Sequence, residues 1–419
     1  MIIGSLVSLP GRRLLATAVA LWWMGFAAVV VIAGALPDST WVALKPLPGQ
    51  GRSAIFAVAV DPANNQVVVA ANSQNALLRT TNGGSSWTSV HAGKSTVNTV
   101  SFSPFTPGLV LAGTRGGAFV SRDGGVTWSA AGGLENRNVR VFAFALTMVL
   151  AGTDAGVYSS PDGRTWTATA LTNRNISALA VEAVHEPVRV IAGTDAPAVG
   201  GTLPLFQSLD GGATWKQFNP PLSGTMTTRL AAGPLPPTGN IRPLLVGTNT
   251  GLFFSTDNGS TFTPLSGGGL LPTTDYTQVA FITTHHDRFY VASDGGGSGS
   301  GGLWRTNDSG QTFAFLVPPQ LSITALAVSN DEQPTLYVAG YQPATHTATL
   351  WTYHDTGGTP VGPAGATPSA TAASIIRAPD RSTVMQILSS PQLPYIGLGL
   401  GALAVVLTAI AAHLRGRYR

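Results

Sequence analysis

Apolar and polar residues alternate with a period of two through most of the chain, and glycine-rich turns interrupt the alternation at near-constant intervals. Ile176-Ser177-Ala178-Leu179-Ala180-Val181 is one such run, and it predicts a half-buried strand. A second strand follows and ends in Ala-Gly-Thr, as at Val190-Ile191-Ala192-Gly193-Thr194. A third, as at Gly251-Leu252-Phe253-Phe254, runs into a polar turn, and an aromatic residue after the turn opens a fourth. Two segments break the pattern. Leu14 to Leu36 is a charge-free run of 23 residues directly after Arg12-Arg13, and Tyr395 to Ala412 is another of 18. As helices, both are long enough to cross a hydrocarbon layer of about 30 Å.

The polar turn recurs six times. Its copies are Thr80-Thr81-Asn82-Gly83-Gly84-Ser85-Ser86-Trp87, Ser121-Arg122-Asp123-Gly124-Gly125-Val126-Thr127-Trp128, Ser160-Pro161-Asp162-Gly163-Arg164-Thr165-Trp166, Ser208-Leu209-Asp210-Gly211-Gly212-Ala213-Thr214-Trp215, Ser255-Thr256-Asp257-Asn258-Gly259-Ser260-Thr261-Phe262 and Thr306-Asn307-Asp308-Ser309-Gly310-Gln311-Thr312-Phe313. The closing aromatics are 41, 38, 49, 47 and 51 residues apart, the length of a four-stranded propeller blade with its loops. Turn chemistry explains the residue types without a ligand. Ser, Thr and Asp side chains hydrogen-bond backbone groups of the turn, glycine supplies positive φ, and the aromatic packs between blades. The first copy has Asn82 in place of Asp, and the third is one residue shorter.

These turns resemble the Asp-box, or BNR, repeats of sialidases, xyloglucanases, sortilin and the photosystem II assembly-factor propellers, over roughly Trp41 to His354. The resemblance implies an all-β propeller. It does not fix a function, because the superfamily includes enzymes and non-enzymes. After the sixth turn come three more strands, Ile323–Val328, Thr335–Gly340 and Ala348–Tyr353, and no fourth. Thr40-Trp41-Val42-Ala43-Leu44 looks like the missing strand, and pairing it there would close a ring of seven four-stranded blades over residues 39–354. Six blades is the alternative if the last three strands form something else.

Composition and charge then place this body in the cell. The formal charge is +4, but Arg12, Arg13, Arg415, Arg417 and Arg419 lie at the extremities, and the remaining 18 basic and 19 acidic residues nearly cancel. The propeller therefore gives no electrostatic case for nucleic acid. Arginines flank both apolar runs on their terminal sides, so the positive-inside bias puts residues 1–13 and 413–419 in the cytoplasm. Residues 14–36 and 395–412 then cross the membrane, and the propeller is held on the extracytoplasmic side. Ala33-Gly34-Ala35 keeps a cleaved signal peptide open as the reading of the first run. Gly397 and Gly401 form a GxxxG spacing that suits close helix packing or self-association. Residues 355–394, rich in Pro, Ala, Gly, Ser and Thr, read as a flexible stalk. There is no cysteine, and a large core does not need disulfides.

Candidate chemistry is confined to loops. The polar turns share one face with the first-to-second strand loops, so the opposite face carries the channel mouth where, as the resemblance implies, propeller ligands sit. Arg52, Lys94, Arg137 and Arg174 precede the first strand of four consecutive blades, and Arg115 lies in a second-to-third strand loop. They form a candidate rim for an anion or an acidic partner. The alternative is solvated loop charge partly paired with Asp154 and Asp195. A sialidase-like site would need, as that resemblance implies, an Arg-Ile-Pro entry motif and a Tyr-Glu pair. Asn240-Ile241-Arg242-Pro243 has the wrong order, and none of Glu135, Glu182, Glu186 and Glu332 has an evident tyrosine partner. Glycoside hydrolysis by paired carboxylates remains the competing function, with Asp154, Asp195, Asp275 and Asp294 as candidate acids at the channel mouth. Gly93-Lys94-Ser95-Thr96 lacks the first glycine of a phosphate loop. His285-His286-Asp287 reads as a turn rather than a metal site, and Asp294 to Gly302 as a flexible loop. No catalytic residue, metal or cofactor is assigned. The leading expectation is a non-catalytic, membrane-tethered propeller that binds a protein or glycan and helps to assemble envelope components.

Overall fold

The computed structural model describes residues 40–183, 187–195, 202–236, 242–271, 273–296 and 300–357. Both apolar runs, Gly397 and Gly401, and all of the stalk beyond Gly357 lie outside the described residues. Among the described residues, no helix is long and apolar enough to cross a membrane.

The described chain forms 28 strands in seven four-stranded antiparallel sheets. The first strands of the seven sheets are Val58–Asp61, Val97–Phe102, Val139–Phe144, Ile176–Ala183, Thr227–Ala232, Gln278–Ile282 and Ser322–Val328. Each touches the first strands of the sheets before and after it, so they line a closed ring of blades 1 to 7. In six blades strand order follows the chain. In blade 7 the order is Ser322–Val328, Thr335–Gln342, Thr347–His354 and then Trp41–Ala43 from the other end of the chain, with Trp41 opposite Tyr353. The N-terminal strand therefore completes the last blade, and the chain running on from it into Val58–Asp61 links blade 7 to blade 1.

Seven apolar clusters fill the spaces between neighbouring blades. Each contains the aromatic that opens an outer strand, packed on the preceding blade. Trp128 lies against Val69 and Val110, Trp166 against Leu109 and Leu111, Phe262 against Ile191 and Phe313 against Leu245. Trp41 takes the corresponding place for blade 7 although no polar turn precedes it. Its indole Nε1 donates to the Leu316 carbonyl at 2.8 Å, and its ring lies 4.8 Å from that of Tyr353.

The turns are built as their residue types require. Asp257 Oδ1 accepts from the Thr261 backbone N–H at 2.9 Å, and its Oδ2 from the Thr261 hydroxyl at 2.6 Å. The Ser255 hydroxyl donates to Asp257 Oδ1 at 2.8 Å and accepts from the Gly259 N–H at 3.0 Å. Gly259 has φ of 75°, which a glycine adopts without strain. Asp123, Asp210 and Asp308 repeat this arrangement. The two divergent turns differ. Asn82 spends its amide on Ser86 Oγ, and the Trp87 indole N–H lacks the glycine carbonyl partner that Trp128 has. In the short third turn Asp162 accepts from the Arg164 N–H and pairs with Arg122 at 3.3 Å.

Ordered chain continues beyond His354. Asp355 is fully buried and accepts from the Tyr290 hydroxyl at 2.6 Å, from the Gly357 N–H and from the Arg305 guanidinium. These contacts clasp the end of blade 7 to blade 6, so Asp355 and Thr356 belong to the propeller's buried seam rather than to a solvated stalk.

Candidate functional site

The site begins in a local irregularity of the inner strands. In blades 2, 3, 4, 5 and 7 the pairing of first and second strands shifts by one residue near its start, between Val97 and Thr99, Val139 and Val141, Ile176 and Ala178, Thr227 and Arg229, and Ile323 and Ala325. A β-bulge re-aims the extra side chain, and here the extra residues are Asn98, Arg140, Ser177, Thr228 and Thr324. All five line one cavity of about 330 Å³ at the channel mouth, together with Phe56, Arg115, Arg229, Asp275 and Asp294.

Four of the five bulge residues tie each blade to the next. Asn98 Nδ2 donates to the Val139 carbonyl at 2.8 Å, the Ser177 hydroxyl to Thr227 at 2.5 Å, the Thr228 hydroxyl to Tyr276 at 2.6 Å and the Thr324 hydroxyl to Ile55 at 2.6 Å. Gln278 Nε2 reaches the Thr324 carbonyl at 3.3 Å, and Arg229 Nε donates to the Thr277 carbonyl at 3.0 Å. Five of the seven blade-to-blade steps are thus pinned around the channel. The step from blade 3 to blade 4 is not, because its bulge residue is Arg140. Neither Arg140 nor Arg115 makes an ion pair among the described residues.

The wall from blade 6 is acidic. Asp294 Oδ1 accepts from the Gly296 N–H at 2.8 Å. Asp275 Oδ1 is buried with no hydrogen-bond partner. Burial, and after it the charge of Asp294, push the Asp275 carboxyl up to about 6. The cavity therefore sets two free cations and the tethered Arg229 against two mutually repelling carboxyls, with the apolar ring of Phe56 at its edge.

Of the five rim residues expected from sequence, Arg115 lines this cavity. Arg52, Lys94, Arg137 and Arg174 are exposed and stand outside its lining, and Arg174 lies over the Phe206 ring at 5.6 Å. Of the four candidate acids, Asp275 and Asp294 line the cavity. Asp154 instead accepts from the Asn138 N–H at 3.1 Å, and Asp195 from Asn175 Nδ2 at 2.5 Å. Arg140 and Arg229 were missed by sequence reasoning. Arg140 carried a signal, being a charged residue between the strand apolars Val139 and Val141.

The sequence matches no protein-family profile and no curated protein. Solved structures do share the fold. YCF48 from Cyanidioschyzon merolae aligns with a TM-score of 0.50 at 16% identity, covering 75% of this chain and 98% of that one. The extracellular domain of BT3049 from B. thetaiotaomicron aligns with a TM-score of 0.56 at 14% identity, covering 76% of this chain and 41% of that one. The GH74 xyloglucanase from Xanthomonas campestris gives a TM-score of 0.48 at 14% identity over 75% of this chain and 54% of that one. At such identities the first two likenesses establish the architecture alone, and the chain is an all-β, seven-bladed propeller.

Proposed function

We propose that this chain is an extracytoplasmic, membrane-tethered binding propeller of the Asp-box superfamily, which captures a protein or glycan partner at its bulge-lined channel mouth and serves in assembling envelope complexes. The observation that carries the reading is Arg140. At the equivalent bulge of four other blades a small polar side chain pins the next blade, whereas here that tie is given up for a free cation beside Arg115. Losing an interblade bond for an unpaired charge has a structural cost and no structural return, so the charge serves a ligand. Arg52, Lys94, Arg137 and Arg174 would widen the basic surface for an acidic partner and speed its capture. Tethering rests on the two charge-free runs with their flanking arginines.

The test is affinity capture of the full-length protein from its native membrane, beside the variant Arg115→Ser/Arg140→Ser. Specific capture that weakens with salt and is lost in the variant supports the reading. Capture unchanged by the variant removes the channel mouth from it.

A second reading, an envelope glycoside hydrolase, is favoured by the Asp275–Asp294 pair, in which one carboxyl is held up to about 6 beside an acidic neighbour. The two acids come from one blade, whereas hydrolase carboxyls flank the scissile bond. A captured oligosaccharide that shortens with time, and ceases to do so in Asp275→Asn, would establish it.

A further inference from the structure

The two faces of the propeller differ in what they leave exposed. Seven large apolar side chains stand out to solvent among the described residues. Five of them are at loop tips of the face opposite the channel mouth just described. Phe105, Leu146 and Leu235 lie in loops between first and second strands, and Val126 and Leu209 in the polar turns. Each keeps between 37% and 53% of its surface exposed. The channel opening on that face is itself apolar, a cavity of about 470 Å³ whose lining includes Pro62, Phe102, Pro104, Phe105 and Phe281. The carboxylates there are largely engaged within their own turns, as Asp123, Asp210, Asp257 and Asp308 show.

Both ends of the described chain are on this same face. Trp41 pairs with Tyr353 at the end of blade 7 where Ser329 and Asn330 border the apolar cavity, so the chain enters and leaves there. Only Pro37, Asp38 and Ser39 separate Thr40 from the end of the first charge-free run at Leu36, a span of roughly 14 Å even when fully extended. From this we infer that the face bearing Phe105, Val126, Leu146, Leu209 and Leu235 rests on the bilayer interface, with the arginine-lined mouth directed away from it toward a partner. The occupant of the apolar face is lipid. Apolar tips inserted among headgroups gain by burial, and a short tether holds them at high effective concentration. The basic side chains of this face are dispersed, and Arg122, Arg164 and Arg288 are engaged by Asp162, Asn307 and the Glu332 carbonyl, so the contact does not select anionic lipid. The inference rests on the reading of residues 14–36 as an uncleaved anchor.

The chain has no cysteine, so single cysteines report without background. Full-length protein carrying an N-terminal tag is reconstituted in phosphatidylcholine vesicles with Phe105→Cys, Leu146→Cys or Leu235→Cys, or with Arg52→Cys or Arg137→Cys on the other face. Each site is labelled with an environment-sensitive fluorophore and challenged with headgroup-level and shallow-acyl nitroxide lipids. All five positions are exposed, so folding is retained. The expected result is a blue shift and loss of emission at the first three sites and none at the last two, unchanged when phosphatidylserine is added. Equal, unquenched emission from both faces, with the tag intact and the protein resistant to carbonate extraction, overturns the orientation while leaving the tether standing. Loss of the tag removes the short N-terminal tether, and release by carbonate removes both spans; either outcome takes the inference with it.

Discussion

The hydroxyl of Thr324 donates to the carbonyl of Ile55 at 2.6 Å, joining residues 269 positions apart across the seam between the last blade and the first. Thr324 is a bulge residue and is buried. Thr324→Val keeps shape and volume but strands the Ile55 carbonyl beside the channel. It is expected to cost about 1–3 kcal/mol in denaturant unfolding. Ser177→Ala breaks a comparable bond to Thr227 inside the ring, and a similar loss there would show that the seam is no weaker than the other joints.

Ring closure depends also on Trp41, which holds the N-terminal strand in blade 7 and packs that blade on blade 6. Its indole is 8% exposed, packs on Tyr353 and donates to Leu316. Trp41→Ala leaves both a cavity and an unmet carbonyl, and should destabilise by about 3–5 kcal/mol. Trp87→Ala should cost less, because that ring is only partly buried and its N–H has no partner. Equal losses by urea titration would refute the closure role given to Trp41.

Blade number and closure were legible in the sequence because both depend on repeated local signals. The Gly-rich turns need positive φ, and Trp41 matches the aromatics that follow those turns. The channel mouth was harder to read. A loop residue's face can be inferred from strand order, but its distance from the channel axis depends on the bulge. Arg137 and Arg140 are three residues apart, and only the second is swung inward, by the register shift between Val139 and Val141. Arg174 likewise leads into blade 4, yet it lies over Phe206 while Ser177 lines the cavity. Asp355 was misjudged because composition marks a stalk, whereas a single carboxylate meeting Arg305 and Tyr290 is a long-range match that no local pattern announces.

Asp275 makes stability depend on pH in a definite direction. Its folded pKa, about 6, lies above the unfolded value near 3.9, so the folded state holds this proton more tightly. That contribution is complete below about pH 3.9 and is lost as pH rises through about 6. Asp275→Asn removes the penalty of the buried, unpartnered charge. The variant should be more stable than the parent at pH 8, by about 2 kcal/mol, with little difference at pH 4. A stability gap that does not change between those pH values would exclude the assigned ionisation.

The polar turns respond to pH in the opposite sense. Hydrogen bonds from the Thr261 hydroxyl first, then from the Thr261 backbone and Ser255, hold the Asp257 carboxyl down to about 2. With its folded pKa depressed, Asp257 stabilises the propeller above the unfolded value and loses that contribution as pH falls through about 2. The first turn lacks this source of stability because Asn82 replaces the aspartate. Asn82 already accepts from the Ser86 N–H at 2.9 Å, but it must donate its amide to the Ser86 hydroxyl. Asn82→Asp turns that hydroxyl into a donor to a carboxylate, reproducing the Asp257–Thr261 pair with serine in place of threonine. The variant should gain about 1 kcal/mol or less at pH 7, read as a raised melting temperature. The gain should shrink as pH falls below about 4 and be gone below about pH 2, where the carboxyl is protonated in both the folded and the unfolded chain. A gain that persists there would mean that the benefit comes from packing or from the denatured chain rather than from the carboxylate.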